Sequence, residues 1–349
     1  MSVSVVVPCH NEAKYIEKCI KSIIEQSDYS SISEIFVVDD GSTDGSSQIL
    51  KQLKLKYNKL KIITTDGVGI SAARNIAIKL SKSEFIAFLD ADDYWDKNKL
   101  KNQLKAFHGD PSIGLVYGDY WDFTKSDAID AVLVVVQSFN HNLTNQLDEY
   151  FIKDGPIVPS TTIFRKEVFE TVGFFKENLK TYEDAEMYCR TAEKWKFFYV
   201  KGGLLYKRKK QGQITTRLDK LINDVYLVSE IASSRNSQLK KFVKQRNARY
   251  LYKTALDCYT RHKEKQKALK YSISSLKLNP FVFRPWIFII MILMPYKITL
   301  KIYLNTEAGC GFRSDPDERI KFHRSVTEAL KTGTGSLCPD LIQKVIHRN

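Results

Sequence analysis

Three aspartates, Asp90, Asp92 and Asp93, close the stretch FIAFLDADD (85–93), and Tyr94 and Trp95 follow directly. An apolar run ending in that much like charge is costly unless water reaches it or a cation sits there. No Lys or Arg lies within three residues on either side of the cluster. A hard divalent cation resolves the repulsion, since Mg2+ and Mn2+ use one or two carboxylates together with ligand phosphates. The chemistry expected at this point is that of a nucleoside diphosphate bridged to the chain by a metal. A lone Asp after a strand is ordinarily a turn or helix cap, which is the expectation for Asp96 before KNKLKNQL.

Two further stretches carry candidate chemistry. VVDDGSTDGS (37–46) pairs Asp39 with Asp40 ahead of a Gly-Ser-Thr turn. One of these carboxylates is placed to accept from a base N–H or a ribose hydroxyl, and Ser42 or Thr43 is the expected cap of the next helix. GVGISAARN (67–75) sets glycines before a helix bearing Arg74. For Arg74 two readings stand, a surface ion pair and a contact to the nucleotide. Neither glycine pattern is a Walker loop or a GxGxxG fingerprint. TYEDAEMYCRTAEKW opens a helix with Glu183 and Asp184, acids that the helix dipole favours in a first turn.

The elements that must hold these residues alternate along the first half. VSVVVP (3–8), EIFVVDD (34–40), KLKIITT (59–65) and FIAFLD (85–90) have strand length and are apolar on both faces. Between them lie helical patterns, with Ala13, Ile16, Ile20, Ile23 and Ile24 on one face of the first and others near 43–57 and 70–81. A polar helix near 96–108 and the run IGLVYGDYWDF (113–123) follow. This is the signature of an α/β fold with a mostly parallel sheet covered by helices. Ligands in such sheets bind beyond the carboxyl ends of the strands, which is where PCHNE, DDGSTDGS and DADD fall. Further along, 131–137 and 159–164 are candidate strands, and KFFYVKGGLLYKRKK reads as a hairpin or a pair of strands around its Gly-Gly.

Charge is uneven. Between Lys201 and Leu278 there are 20 Lys or Arg against 5 Asp or Glu, a surplus that accounts for the whole net charge of +14. Such a region suits anionic headgroups or a polyanion, or is simply a solvated basic face. From about Leu218 the pattern is helical. FVFRPWIFIIMILMPYKITLKIYL (281–304) is too short and too interrupted in its apolar core to span a bilayer, and fits a membrane-surface or buried helix. The six cysteines, at 9, 19, 189, 258, 310 and 338, form no CxxC and no zinc spacing, as expected of reduced thiols in a cytosolic protein. Strand pattern beginning at residue 3 gives the expectation of no signal peptide. No nucleic-acid module is recognised, and none is expected as a partner.

VSVVVPCHNE, VVDDGSTDGS, GISAARNIAI, FIAFLDADDYW and TYEDAEMYCRTA, in this order and spacing, resemble the family 2 inverting glycosyltransferases of GT-A fold. The resemblance implies a Rossmann-like catalytic domain over 1–215, with a nucleotide-sugar half (1–110) and an acceptor half (111–215). A basic helical region (216–280), the apolar segment 281–304 and a tail (305–349) without a functional reading would follow. It implies DADD as a DxD motif, with Asp92 and Asp93 at a Mn2+ or Mg2+ ion and Asp90 near the ribose. It places Asp39 at the nucleobase, and Pro8, His10, Glu12, Asp40 and Arg74 around the nucleotide. Asp184 matches the base that deprotonates the acceptor hydroxyl, with Glu183 beside it binding the acceptor.

Two departures stand out. Where relatives often carry a His after the last strand, this chain has Tyr206-Lys207-Arg208-Lys209, so that Lys209 takes the place of the His. His10 stands where relatives more often have Tyr. The expected donor is a nucleotide-sugar, UDP by family frequency, and the expected acceptor a glycan or lipid-linked glycan of a cell-surface polysaccharide. The expected location is cytoplasmic, peripheral at an anionic membrane face. The competing expectation is a non-catalytic scaffold acting through the basic C-terminal half.

Overall fold

The computed structural model describes residues 1–293 except 125–127, 137, 140–142, 154–156, 180, 211–217, 261–263 and 282. The chain divides into two units, Met1–Phe242 and Val243–Asn349.

The first unit begins with strict alternation: β1 (Val3–Cys9), α1 (Ile16–Ile24), β2 (Ile32–Asp40), α2 (Ser46–Lys56), β3 (Leu60–Thr65), α3 (Ile70–Leu80) and β4 (Phe85–Phe88). These strands are parallel and lie in the order β3-β2-β1-β4. The chain winds outward from β1 to β3 and then returns across β1 to place β4, so its winding reverses between β1 and β4. That reversal opens a crevice at their carboxyl ends. Pairing between the two strands runs only to Val6 and Phe88, whereas β1 follows β2 on to Cys9. Pro8 sits in this unpaired stretch, where its missing N–H removes no bond to β4.

The rest of the unit converts the sheet to a mixed one. β5 (Tyr94–Trp95), α4 (Lys99–Leu104), β6 (Ile113–Phe123), β7 (Val132–Val134), α5 (Leu143–Lys153), β8 (Ile163–Arg165), α6 (Glu167–Val172), α7 (Glu183–Lys194), β9 (Lys196–Arg208) and α8 (Leu218–Arg235) follow. β8 is antiparallel to both β4 and β6, β9 is parallel to β6, and β5 and β7 are antiparallel to β9 and β6. Fully buried Phe88 anchors the middle, with its ring edge-on to Phe164, Phe169 and Phe175.

Three local expectations change. The Gly-Gly of the segment after α7 is not a hairpin turn, and β9 runs through it as one strand with a bulge. The carboxylate of Asp119 accepts from Gly202 N (2.9 Å) and Tyr199 Oη (2.8 Å), so the irregular backbone keeps its partners. Helix α2 starts at Ser46, later than its pattern suggests. Asp44 accepts from Ser46 N (3.0 Å), while Ser42 and Thr43 are tied to Asn11 instead. The helix expected near 96–108 shrinks to α4 and a 3-10 turn at Lys105–Phe107.

The second unit holds α9 (Val243–Thr260), α10 (Lys265–Leu278) and α11 (Phe283–Leu293) among its described residues. Ser275 Oγ donates to Ala248 O (2.7 Å) across α10 and α9, and Phe288 packs edge-on against Tyr252 and Tyr259. The opposite side of α11 leaves Trp286, Ile287 and Ile290 exposed, as is Phe281 just before it. Among the described residues no helix is long and apolar enough to cross a membrane. Residues 294–304 of the apolar segment, and the tail 305–349, lie outside the described residues.

Candidate active site

At the end of β4 the chain makes a tight turn in which Asp93 N donates to Asp90 O (3.0 Å). The turn sends its three carboxylates in different directions. Asp93 is turned inward, 3% exposed: its Oδ1 accepts from Arg208 N (2.8 Å) and its Oδ2 from Ser160 Oγ (3.1 Å). Burial, then the neighbouring Asp92 and Asp90, push its carboxyl well above the usual carboxylate range. The residue expected beside Asp92 at a metal therefore holds the turn onto β9. Asp90 Oδ1 accepts from Arg74 Nη2 (3.0 Å). Asp92 faces the crevice, where its Oδ2 meets Lys210 Nζ at 2.8 Å.

Arg74 is not the surface ion pair of one of its two sequence readings. It lies on α3 at 1% exposure, and its guanidinium bridges Asp90 and Glu183 Oε1 (2.8 Å) with Phe175 stacked beside it. Burial opposes its charge, but Asp90, Glu183 and Asp184 outweigh that and hold it protonated. Through this one side chain the DADD turn and the first turn of α7 meet, although Arg74 and Glu183 are 109 residues apart in sequence. The backbone of Tyr182 adopts the left-handed region (φ 61°) to swing the chain into α7. Glu183 is thereby buried against Arg74, while Asp184, one residue on, stays half-buried with Oδ1 accepting from Ala185 N (2.7 Å). Expected to bind an acceptor, Glu183 has its carboxylate committed to Arg74.

The opposite wall comes from the loops after β1 and β2. His10 is exposed, and its Nδ1–H donates to Asp40 O (2.6 Å). Asp39 is 1% exposed, accepting from the Ser47 hydroxyl and from Ser42 N. Asp40 accepts from Thr65 Oγ1 (2.6 Å), Val68 N (2.7 Å) and Gly69 N (2.8 Å). Burial raises its carboxyl, but these three donors more than offset it and hold it below the usual range. Both aspartates thus fix the loops that frame the crevice. Pro8 is buried at the end of β1. Glu12 faces the crevice, and both its oxygens take Lys210 Nζ, at 2.5 and 2.6 Å. Burial lifts the Glu12 carboxyl and Lys210 lowers it, leaving it above its ordinary value.

The cations that compensate DADD come from the far end of β9. Arg208 Nε donates to Asp92 O (3.2 Å), and its guanidinium lies over the rings of Tyr15 and Phe123. Lys209 pairs with Asp122 (2.8 Å), so the residue in place of the family's His does not reach Asp92. Lys210 does. Both lysines lie just past the end of β9 at Arg208.

No group of three or more His, Cys, Asp or Glu side chains converges to hold a metal by itself among the described residues. What the geometry offers is Asp92, and with it Glu12, at the mouth of a crevice. That donor set fits a Mg2+ or Mn2+ ion arriving with phosphate oxygens, not one caged by protein. Thiol chemistry has no support here: burial, then Asp39, push the Cys9 thiol up to about 12, and Cys19 is buried as well.

The sequence pattern described as Glycosyl transferase family 2 matches residues 4–173, about half of the chain. Glycosyltransferase GlyG of Streptococcus pneumoniae serotype 4 is 28% identical over 222 residues, 61% of this chain and 72% of that one. The poly(ribitol-phosphate) beta-glucosyltransferase of Bacillus spizizenii is 43% identical over 123 residues, 34% of this chain and 19% of that protein. The chain thus spans most of the first relative and about a fifth of the second. The crystal structure of S. aureus TarS 1–349 in complex with UDP is similar in fold, with TM-score 0.55 at 20% identity over 95% of this chain and 92% of that one. The family pattern stops short of α7, so Glu183 and Asp184 rest on their geometry and on the order of the motifs.

Proposed function

The chain belongs to glycosyl transferase family 2, and on that premise we propose that it transfers a sugar, with inversion, from a nucleoside-diphosphate donor to a glycan hydroxyl. The observation that carries this reading is the Arg74 bridge. It ties the head of α7, which carries Asp184, to the DADD turn at the end of β4, and so supports a proton acceptor beside a diphosphate site.

In this reading Asp184 takes the proton from the acceptor hydroxyl as that oxygen attacks the anomeric carbon. The bond from that carbon to the diphosphate oxygen breaks on the opposite face, in the single displacement used by inverting sugar chemistry. Asp184 lies in the first turn of α7. Glu183 is excluded as the base by its ion pair and serves to orient Arg74. Asp92, with Glu12 beside it, would hold Mn2+ or Mg2+, which supplies charge neutralisation on the departing diphosphate when bound. His10 and the loops fixed by Asp39 and Asp40 line the nucleoside end.

A UDP-sugar donor is supported by TarS, which has this fold and is described in complex with UDP. A cell-wall or other surface polysaccharide as acceptor is supported by the poly(ribitol-phosphate) activity named for the Bacillus relative. Docking at an anionic membrane face is supported by the exposed Trp286, Ile287 and Ile290 of α11 and by the basic surplus preceding it.

Calorimetry with UDP, GDP, dTDP and CDP, each with and without Mn2+, tests the reading. One of them, expected to be UDP, should bind at least about tenfold more tightly when Mn2+ is present. A folded protein that binds none of the four overturns the enzyme reading in favour of a scaffold role for the basic C-terminal half.

A further inference from the structure

The ammonium of Lys210 occupies the point at which a metal would enter. It lies 2.5 and 2.6 Å from the two oxygens of Glu12 and 2.8 Å from Asp92 Oδ2, joining the loop after β1 to the turn after β4. Its side chain stays 26% exposed, so it lines the crevice and is not sealed in the core. The ring of Tyr15 lies under it at 4.9 Å and under Arg208 at 4.2 Å, and holds the end of β9 in place. Of the DADD carboxylates, Asp90 is held by Arg74 and Asp93 by Ser160 and Arg208 N, which leaves Asp92 as the one Lys210 engages.

An ammonium donates three hydrogen bonds and accepts none, so it satisfies Glu12 and Asp92 together. Without it, two carboxylates would face each other across the crevice. A divalent ion bound to Asp92 at about 2.0–2.2 Å draws on the same carboxylates and is repelled by the ammonium beside it. The two cations therefore compete for Asp92 and Glu12.

We propose that Lys210 is a built-in cation that occupies Asp92 in the nucleotide-free protein and is displaced by the divalent metal only when a diphosphate enters. The diphosphate supplies the negative charge that draws the metal in. It also gives the released ammonium new acceptors in its phosphate oxygens. Metal and nucleotide therefore bind cooperatively, and the metal alone binds weakly. This rests on the reading of the crevice as a nucleoside-diphosphate site.

The test is Mn2+ titration of the full chain followed by electron paramagnetic resonance, without nucleotide and with saturating UDP. The variants are Lys210→Gln, Lys210→Arg and the double variant Lys210→Gln with Asp92→Asn, each checked for an unchanged melting profile. Lys210→Gln should bind Mn2+ at least about tenfold more tightly than wild type in the absence of UDP. Lys210→Arg should match wild type, and the double variant should lose the gain. Equal affinity of Lys210→Gln and wild type, with UDP still recruiting Mn2+ to both, overturns the role of Lys210 and leaves the diphosphate reading standing. Mn2+ that binds no variant, with UDP or without it, overturns that reading and this proposal together.

Discussion

Arg74 carries a full charge at 1% exposure and is paired on both sides, to Asp90 and to Glu183. A buried ion pair of this kind adds little net stability over an apolar replacement, yet breaking it from one side is expensive. Arg74→Ala strands two carboxylates and should lower unfolding stability by about 3–5 kcal/mol in urea titration. Asp184→Asn keeps the size of the side chain and removes its charge. It should cut turnover by about a hundred- to ten-thousand-fold while the affinity for the nucleoside diphosphate changes less than about twofold. Turnover retained by Asp184→Asn in a coupled nucleotide-release assay would move the base elsewhere. In the sequence, Asp184 stood out through the resemblance carried by TYEDAEMYCRTA, and Arg74 as a charged residue after glycines. A buried Arg and a surface Arg look alike in a one-dimensional string, because what distinguishes them is a partner 109 residues away.

At the scale of elements, the site depends on how closely β6 and β9 approach. A Cβ added at Gly203 would meet Trp121 Nε1 at 1.9 Å, and one at Gly118 would meet Val200 O at 2.4 Å. Gly203→Ala must therefore push the Trp121 ring away, and should cost about 1–3 kcal/mol by denaturant unfolding. Because β9 ends at Arg208 and leads directly into Lys210, the same change should weaken nucleotide binding; unaltered affinity would mean that the strand end is positioned independently of Trp121. The strands β1 to β4 and their helices were legible from alternating apolar runs, since strands covered on both faces leave an unmistakable pattern. The continuity of β9 was not, because Gly202-Gly203 carries the composition of a turn. The carboxylate of Asp119, on another strand, makes it a bulge instead. The His position of the family pointed to Lys209, which pairs with Asp122, whereas Lys210, just past the end of β9, reaches Asp92.

For the whole molecule, charge and function are distributed along the chain. The family pattern and all the site residues except Glu183, Asp184 and the strand-end cations fall within residues 4–173, whereas the basic surplus lies in Lys201–Leu278. Flotation with vesicles of phosphatidylglycerol and phosphatidylcholine measures whether that surplus and α11 dock together. Binding should require the anionic lipid and fall by at least about tenfold in the double variant Trp286→Glu, Ile290→Glu, whose positions are exposed and tolerate polarity. Recovery of the double variant at wild-type levels on anionic vesicles would remove α11 from the interface. The guanidinium of Arg74 has a last consequence, for recombination between relatives. Its two carboxylate partners sit in separate segments, the turn after β4 and the start of α7. A hybrid joining this chain's α3 to a foreign α7 without an acid at the position of Glu183 would leave the buried Arg74 half-paired, with Asp90 still bound and its other side open. The segments that carry Arg74 and Glu183 can thus diversify in sequence, but they can be traded only as a matched set.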